Sequence, residues 1–137
     1  MNEKSFLFDT NVLSDLIRRP QGTLARKLTA LPPLRLQTSI IVACELRYGA
    51  LKKKSPRLQQ KVDQLLELVE VLPLGPEADR HYGQIRTALE VRGEVIGQND
   101  LLIAAHARAL GLTLVTANVS EFSRVPGLAV ENWLDPA

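Results

Sequence analysis

The sequence of 137 residues lacks the features that define several protein classes. It has one cysteine, Cys44, so no disulfide can form within the chain, and a reducing compartment is expected. Its apolar runs are much shorter than the roughly 20 residues that a membrane-spanning helix needs. The first residues carry no basic segment followed by an apolar core, so no secretion signal is expected. Together these absences predict a cytoplasmic protein that makes no membrane contact.

Aromatic residues and net charge are also low. Three Phe, two Tyr and one Trp leave few rings on which nucleic-acid bases could stack. The formal net charge is only +2, which by itself indicates no partner. The segment from Gly93 to Gly97 is not followed by Lys-Ser or Lys-Thr, so it does not support a nucleotide-hydrolysing phosphate loop. What remains is an ordinary globular composition, and we expect a single domain over residues 1–137.

Short apolar strands alternate with helical patterns along the chain. Residues 5–8 have the pattern of a strand buried on both faces of a sheet. Further strands are predicted at 34–39, 69–72, 112–115 and 128–130, and helices at 12–18, 23–31, 40–53, 55–68, 77–91 and 100–110. This alternation predicts an α/β protein with a mostly parallel sheet and helices on both faces. Because ligands of such sheets bind beyond the carboxyl ends of the strands, polar residues that follow strands become site candidates.

The predicted helix 40–53 is apolar on much of its surface. Ile41, Cys44, Tyr48 and Leu51 lie at helical spacing, and we expect them to form the buried stripe of this helix. Cys44 is accordingly interpreted as a small core residue.

Three acidic residues occupy unusual positions. Asp9 directly follows the first strand, Glu45 lies within an almost continuous apolar segment, and Asp100 precedes the apolar residues 101–105. Each position has a structural explanation: Asp9 and Asp100 suit helix N-caps, and Glu45 suits the edge of a buried stripe. If Asn99 caps the helix instead, Asp100 is free for another role.

The three acids are more informative as a group than one at a time. Strand ends and the first turns of helices can converge on one edge of a doubly wound sheet. Carboxylates that share a pocket repel each other, and a hard divalent cation relieves that repulsion. Oxygen ligands without a His or Cys cluster favour Mg²⁺ or Mn²⁺ over zinc. Such a site is suited to hydrolysis of a phosphodiester by metal-activated water.

Charged residues are divided into two blocks in the middle of the chain. Residues 47–61 contain six basic side chains and no acid, whereas residues 62–79 contain five acids and no base. The basic side chains are Arg47, Lys52, Lys53, Lys54, Arg57 and Lys61. They form either a solvated helical face or a positive patch for RNA phosphates, and the pattern leaves both interpretations open.

Four segments, in this order and spacing, resemble PIN-domain ribonucleases, and the nearest subgroup is the VapC-type toxins of type II toxin–antitoxin pairs. The resemblance extends over nearly the whole chain. The segments are Phe-Leu-Phe-Asp9-Thr10-Asn11, Ala43-Cys44-Glu45-Leu46-Arg47-Tyr48-Gly49-Ala50, Ile96-Gly97-Gln98-Asn99-Asp100, and Thr113-Leu-Val-Thr116-Ala-Asn118-Val-Ser-Glu121 with the residues up to Trp133.

The resemblance implies a PIN-like three-layer α/β/α sandwich with a mostly parallel central sheet. It also implies an endoribonuclease that depends on Mg²⁺, with Mn²⁺ as a substitute. Asp9, Glu45 and Asp100 take the positions of the acidic metal ligands and catalytic residues.

One position departs from the family pattern. Asn118, a weaker and neutral oxygen donor, stands where many members carry a fourth acid, and Glu121 lies three residues later. Both Asn118 and Glu121 are further candidates for metal ligands. Asn11 and Thr116 are the expected supporting residues, which orient carboxylates or water by hydrogen bonds.

The resemblance implies partners as well. These are an RNA substrate, with tRNA favoured, a VapB-type antitoxin that blocks the site, operator DNA bound only through the antitoxin, and a second copy of the chain in a homodimer.

The residues leave two other functions open. A catalytically weak PIN-fold module that binds RNA or protein is compatible with Asn118 in place of an acid. An aspartate-nucleophile phosphatase would use Asp9, but this class needs a second Asp where the chain has Asn11.

Overall fold

A computed structural model describes residues 5–30 and 36–134 of the chain. Within these residues, five strands form one sheet in the order β3-β2-β1-β4-β5, and every neighbouring pair is parallel. The strands are β1 (Phe6–Phe8), β2 (Gln37–Ser39), β3 (Glu70–Leu72), β4 (Thr113–Val115) and β5 (Val130–Glu131). The predicted α/β class with a parallel sheet is confirmed.

Helices connect the strands and cover the sheet. They are α1 (Thr10–Arg18), α2 (Thr23–Ala30), α3 (Ile40–Lys52), α4 (Pro56–Leu68), α5 (Ala78–Arg92), α6 (Gln98–Leu110) and α7 (Val119–Phe122). The arrangement is the predicted three-layer α/β/α sandwich. Over the described ranges, no helix has both the length and the apolar character needed to cross a bilayer.

The central strands β1 and β4 are completely enclosed by the fold. Each of their residues is buried, as expected for strands covered on both faces. At the end of the described chain, Trp133 packs edge-on against Phe6 and Phe8, with ring centroids 4.8 and 5.4 Å apart. This packing fixes the strand that leads directly into Asp9.

The order of the strands determines where a ligand site can form. The chain runs from β1 outward to β2 and β3, and then returns to place β4 and β5 on the other side of β1. The order in which strands are added therefore reverses between β1 and β4. At this topological switch point, a crevice opens at the carboxyl ends of the two strands. Asp9 follows β1 and Thr116 follows β4, so both residues lie at this switch point, where the Asp9 N–H donates to the Val115 carbonyl at 2.9 Å.

Helix α3 presents a different face to the core from the one predicted. Tyr48 and Leu51 are 64% and 60% exposed, and Cys44 is exposed too, so the interpretation of Cys44 as a core residue was wrong. The buried residues of α3 are Val42, Ala43, Leu46 and Ala50. The reason is that α3 is apolar on almost every side, so helical spacing alone fits more than one buried face.

Several boundaries also differ from the prediction. Helix α6 begins at Gln98 with Gly97 as its N-cap, so neither Asn99 nor Asp100 caps it. The last strand lies at Val130–Glu131 rather than 128–130, and the short helix α7 was not predicted. Residue 31 of the predicted second helix, and residues 34 and 35 of the predicted second strand, lie outside the described residues.

Candidate metal centre

Asp9 is held rigidly at the end of β1. It is 3% exposed and is the N-cap of α1, with its Oδ1 accepting a hydrogen bond from the Thr10 N–H at 2.8 Å. Its Oδ2 accepts from Thr116 Oγ1 at 2.8 Å and from Asn11 Nδ2 at 3.4 Å. The structural role and the functional role predicted for Asp9 are therefore compatible, because one oxygen caps the helix while the other points toward the switch point.

Thr116 anchors a second small network on the β4 side. It is completely buried, and its Oγ1 accepts a hydrogen bond from the Asn118 N–H at 3.0 Å while donating to Asp9. Asn11 Oδ1 accepts from the Ala117 N–H at 3.0 Å. The two expected supporting residues thus join the loop after β4 to the start of α1. Asn118 contributes its backbone amide to this network.

Glu45 is held by residues of two other helices. Thr10 Oγ1 donates to its Oε1 at 2.5 Å, and Asn99 Nδ2 donates to its Oε2 at 3.4 Å. Sequence reasoning considered Asn99 only as a helix cap and gave Thr10 no role at the site. The available signal was their position: each is adjacent to one of the candidate acids, on the first turn of α1 or α6.

Asp100 and Glu121 form the other half of the site. The carboxyl group of Asp100 lies beside that of Glu121. Glu121 Oε1 also accepts from the Gly97 N–H at 3.5 Å, at the N-terminus of α6. Burial first, and then the contact with Glu121, raise the pKa of Asp100 to about 7.

The four carboxylates act on each other electrostatically. Burial raises the pKa of Asp9, and the charges of Glu45 and Glu121 raise it further, against the lowering effect of its hydrogen bonds. The charges of Asp9 and Glu45 act in the same way on Asp100. The structure therefore brings all four acids to one edge of the sheet, where the charges of Glu45 and Glu121 disfavour the ionisation of Asp9 and Asp100.

The donor atoms at this edge suit a hard divalent cation. They are oxygens of carboxylates, a threonine hydroxyl and side-chain amides, which is the set that Mg²⁺ and Mn²⁺ prefer. Across residues 5–30 and 36–134, however, no three His, Cys, Asp or Glu side chains are arranged as a ready-made set of ligands. The fit lies in the chemistry and common location of the acids rather than in a closed coordination shell.

The basic side chains of the predicted patch lie in different environments. Arg47 forms an ion pair with Asp63 at 2.6 Å, and the Lys52 ammonium lies 5.9 Å from the centre of the Tyr48 ring. Lys54 is exposed at the end of α3 with a φ of 53°. Lys53 lines a cavity that Glu45 also lines, and Arg57 lines the adjoining cavity.

Comparison with known proteins decides the family. The model of the PIN domain matches residues 6–128 of the chain, which include all four acids. This chain belongs to the PIN-domain family. The PIN-domain match extends from the first residue of β1 to the turn before β5, so it covers the whole switch point.

The relatives of this PIN-domain chain are VapC ribonucleases. The chain is 40% identical over 130 residues to ribonuclease VapC2 of Rickettsia felis, with 93% of this chain and 97% of that protein covered. It is 36% identical over 129 residues to the tRNA(fMet)-specific endonuclease VapC of Salmonella typhimurium, with 93% and 97% covered. A solved structure of VapBC2 from Rickettsia felis bound to a DNA fragment from their promoter contains a chain that is 38% identical, with a TM-score of 0.86 and 93% and 98% covered.

The repulsion among the acids of this PIN-domain chain predicts how stability depends on pH when metal is removed. Asp100 has a pKa of about 7 when folded and an ordinary value of 3.8, so the folded chain binds a proton that the unfolded chain releases. The stability of the wild-type chain in EDTA should consequently fall as the pH rises from about 4 to about 7. Asp100→Asn should remove the part of this fall that comes from Asp100.

Thermal unfolding in EDTA at several pH values measures this effect. Above pH 7, Asp100→Asn should melt a few degrees higher than the wild type, and the two should converge near the ordinary pKa of 3.8. Asp79→Asn, at an exposed acid in the first turn of α5, is the control and should show no rise in melting temperature above pH 7. A variant that melts below the wild type throughout this range would contradict the prediction.

Proposed function

We propose that this chain is the toxin of a type II toxin–antitoxin pair and cleaves RNA at the edge formed by Asp9, Glu45, Asp100 and Glu121. The observation that supports this most is the convergence of these four acids at the switch point between β1 and β4. The proposal includes a divalent cation, Mg²⁺ or alternatively Mn²⁺, held by Asp9, Glu45 and Asp100. Glu121 completes the acidic set where Asn118 departs from the family pattern.

A bound divalent cation would neutralise charge on the phosphate and lower the pKa of a water molecule. The chain itself supplies orientation. Asp9 keeps one oxygen free of the helix cap, and Thr116 holds that oxygen in place. Thr10 and Asn99 donate to the two oxygens of Glu45 and so orient its carboxylate toward the site. The buried position of Asp9 limits access of bulk water to this side.

The relatives support the assignment of substrate and partners. One relative is named as specific for tRNA(fMet), and we propose tRNA as the substrate class here too. The solved VapBC2 complex includes promoter DNA, and we propose an antitoxin that blocks this site and brings the pair to operator DNA. A homodimer is supported by the exposed apolar face of α3, which includes Ile40, Tyr48 and Leu51.

A module that binds RNA or protein without efficient catalysis is the alternative function. It rests on Asn118, which is a neutral residue in the position of an acid. Glu121 weakens that argument. It lies in α7, the short helix that follows Asn118, and its carboxyl group contacts Asp100. Catalysis is therefore the function that the geometry favours.

Cleavage with and without metal tests the proposal. The purified chain is incubated with an initiator tRNA transcript and with total bacterial RNA, in Mg²⁺, in Mn²⁺ and in EDTA. We expect discrete cleavage products in either metal and none in EDTA, with full recovery when excess Mg²⁺ is restored. Equal cleavage in EDTA would overturn the metal requirement, and intact RNA in every condition would favour the binding module.

A further inference from the structure

Two adjoining cavities form a groove that begins at the candidate site. The first, of about 280 Å³, lies between α1, α3 and α4 and is lined at one end by Thr10 and Glu45. The second, of about 320 Å³, continues from it over the beginning of α4. The two cavities share Ile17, Arg18 and Leu58, so they form one continuous surface, which we call the α1–α4 groove.

Charge changes sign along the α1–α4 groove. Glu45 is the acid at its inner end, whereas Arg18, Lys53, Arg57 and Lys61 line its middle and outer parts. None of these four cations forms an ion pair within the part of the chain that the structure describes, and three of them are exposed. This contrasts with Arg47 on the neighbouring side of α3, which is paired with Asp63. Unpaired cations in a row are suited to a polyanion.

The section between the acid and the outer cations is apolar. Leu46, Ala50 and Val62 are almost completely buried beneath it, and Leu58 and Ile17 form its sides. Apolar side chains of this kind enclose bases that have been turned out of a stack. The low aromatic content of the chain does not prevent such binding, because an aliphatic pocket encloses a base without a ring to stack on.

We propose that the α1–α4 groove binds the RNA strand next to the phosphate that is cleaved. The adjoining base occupies the apolar section, and the phosphates that follow it contact Arg18, Lys53, Arg57 and Lys61. This proposal rests on the proposed function, since the groove is continuous with Glu45. An acidic peptide is the competing occupant; RNA is favoured because a strand that is cleaved beside Glu45 has to leave the site along an adjoining surface.

Removal of the outer cations tests the electrostatic part. Arg57→Gln with Lys61→Gln should raise KM for initiator tRNA roughly tenfold and leave kcat nearly unchanged. Binding is measured in an Asp100→Asn background between about 50 and 200 mM salt. The slope of log affinity against log salt concentration should decrease in magnitude by about 1.4, because two phosphate contacts are lost. The control is Arg26→Gln with Arg80→Gln, which removes the same charge from exposed positions on α2 and α5.

Filling of the apolar section tests the base pocket. Gly49 lines the first cavity, and a Cβ added there meets nothing within 4 Å. Gly49→Leu should therefore fold and melt normally but raise KM by an order of magnitude, because its side chain occupies the space of the base. Gly49→Ala is the matched control and should keep a KM near the wild-type value.

The outcomes separate this proposal from the function on which it rests. A wild-type chain that cleaves neither initiator tRNA nor total bacterial RNA overturns both. A wild-type chain that cleaves, with groove variants that match their controls in KM and salt slope, overturns the groove alone. If the cation variants instead lose binding to a poly-glutamate peptide while KM for RNA is unchanged, the groove belongs to an acidic protein partner and the proposal is wrong.

Discussion

Asp100→Asn is expected to slow RNA cleavage by about 10²–10³-fold while the chain stays folded. The substitution keeps the size of the side chain and removes its charge at the site where four carboxylates converge. The fold should tolerate it, because Asp100 does not cap α6 and its first-turn neighbours stay in place. Cleavage of labelled initiator tRNA in excess Mg²⁺ measures the rate, and circular dichroism checks the fold.

The control for this variant is again Asp79→Asn, which removes one exposed carboxylate from α5 and should cleave at the wild-type rate. Asp9→Asn extends the test to β1. Asn is also a good N-cap, so α1 should still begin at Thr10 while the site loses a charge. If both Asp→Asn variants cleaved RNA at the wild-type rate, these acids would be excluded from catalysis.

Thr116→Val is expected to lower activity by about 10- to 100-fold through a residue that touches no substrate. Valine has nearly the shape of threonine, so the buried space stays filled. The lost hydroxyl leaves Asp9 Oδ2 without its 2.8 Å donor and the Asn118 N–H without its 3.0 Å acceptor. We therefore expect a higher Mg²⁺ concentration for half-maximal activity as well as a slower rate.

The metal dependence separates this positioning role from a purely structural one. A purely structural defect would act by lowering the fraction of folded chain. In either case, urea denaturation should show that the free energy of unfolding falls by about 1–3 kcal/mol, because of the groups left unpaired. A positioning role also shifts the Mg²⁺ titration of the molecules that remain folded. Thr116→Ser keeps the hydroxyl and should restore both values. A Thr116→Val chain with the wild-type Mg²⁺ titration would contradict the role in positioning Asp9.

The sequence was sufficient to predict the fold class and the neighbourhood of the site. Residues 6–8 are continuously apolar because β1 is covered on both faces, and an acid directly after such a strand has to lie at the edge of the sheet. That reasoning predicted the position of Asp9 at the sheet edge, and the acids within or before apolar segments added Glu45 and Asp100 as candidates. The fold brings these residues together with Glu121.

The details that sequence could not supply depend on how helices are oriented. Thr10 and Asn99 donate to Glu45 only because α1 and α6 approach α3 from two sides, and no spacing in the sequence encodes that approach. The buried face of α3 was wrongly predicted for a related reason, since Tyr48 and Leu51 are as apolar as the residues that are buried. The sequence describes which residues are apolar, whereas packing decides which of them face the core.

The most direct test of the central claim is the position of Mn²⁺ in crystals of this chain, located by its anomalous scattering. The account predicts a peak at the switch point, with carboxylate oxygens of Asp9 and Asp100 at about 2.0–2.2 Å, close to the distances of Mg²⁺. The same crystals of Asp100→Asn should show a weaker peak or none. Full occupancy of Mn²⁺ at a different place, with these carboxylates free of metal, would contradict the account.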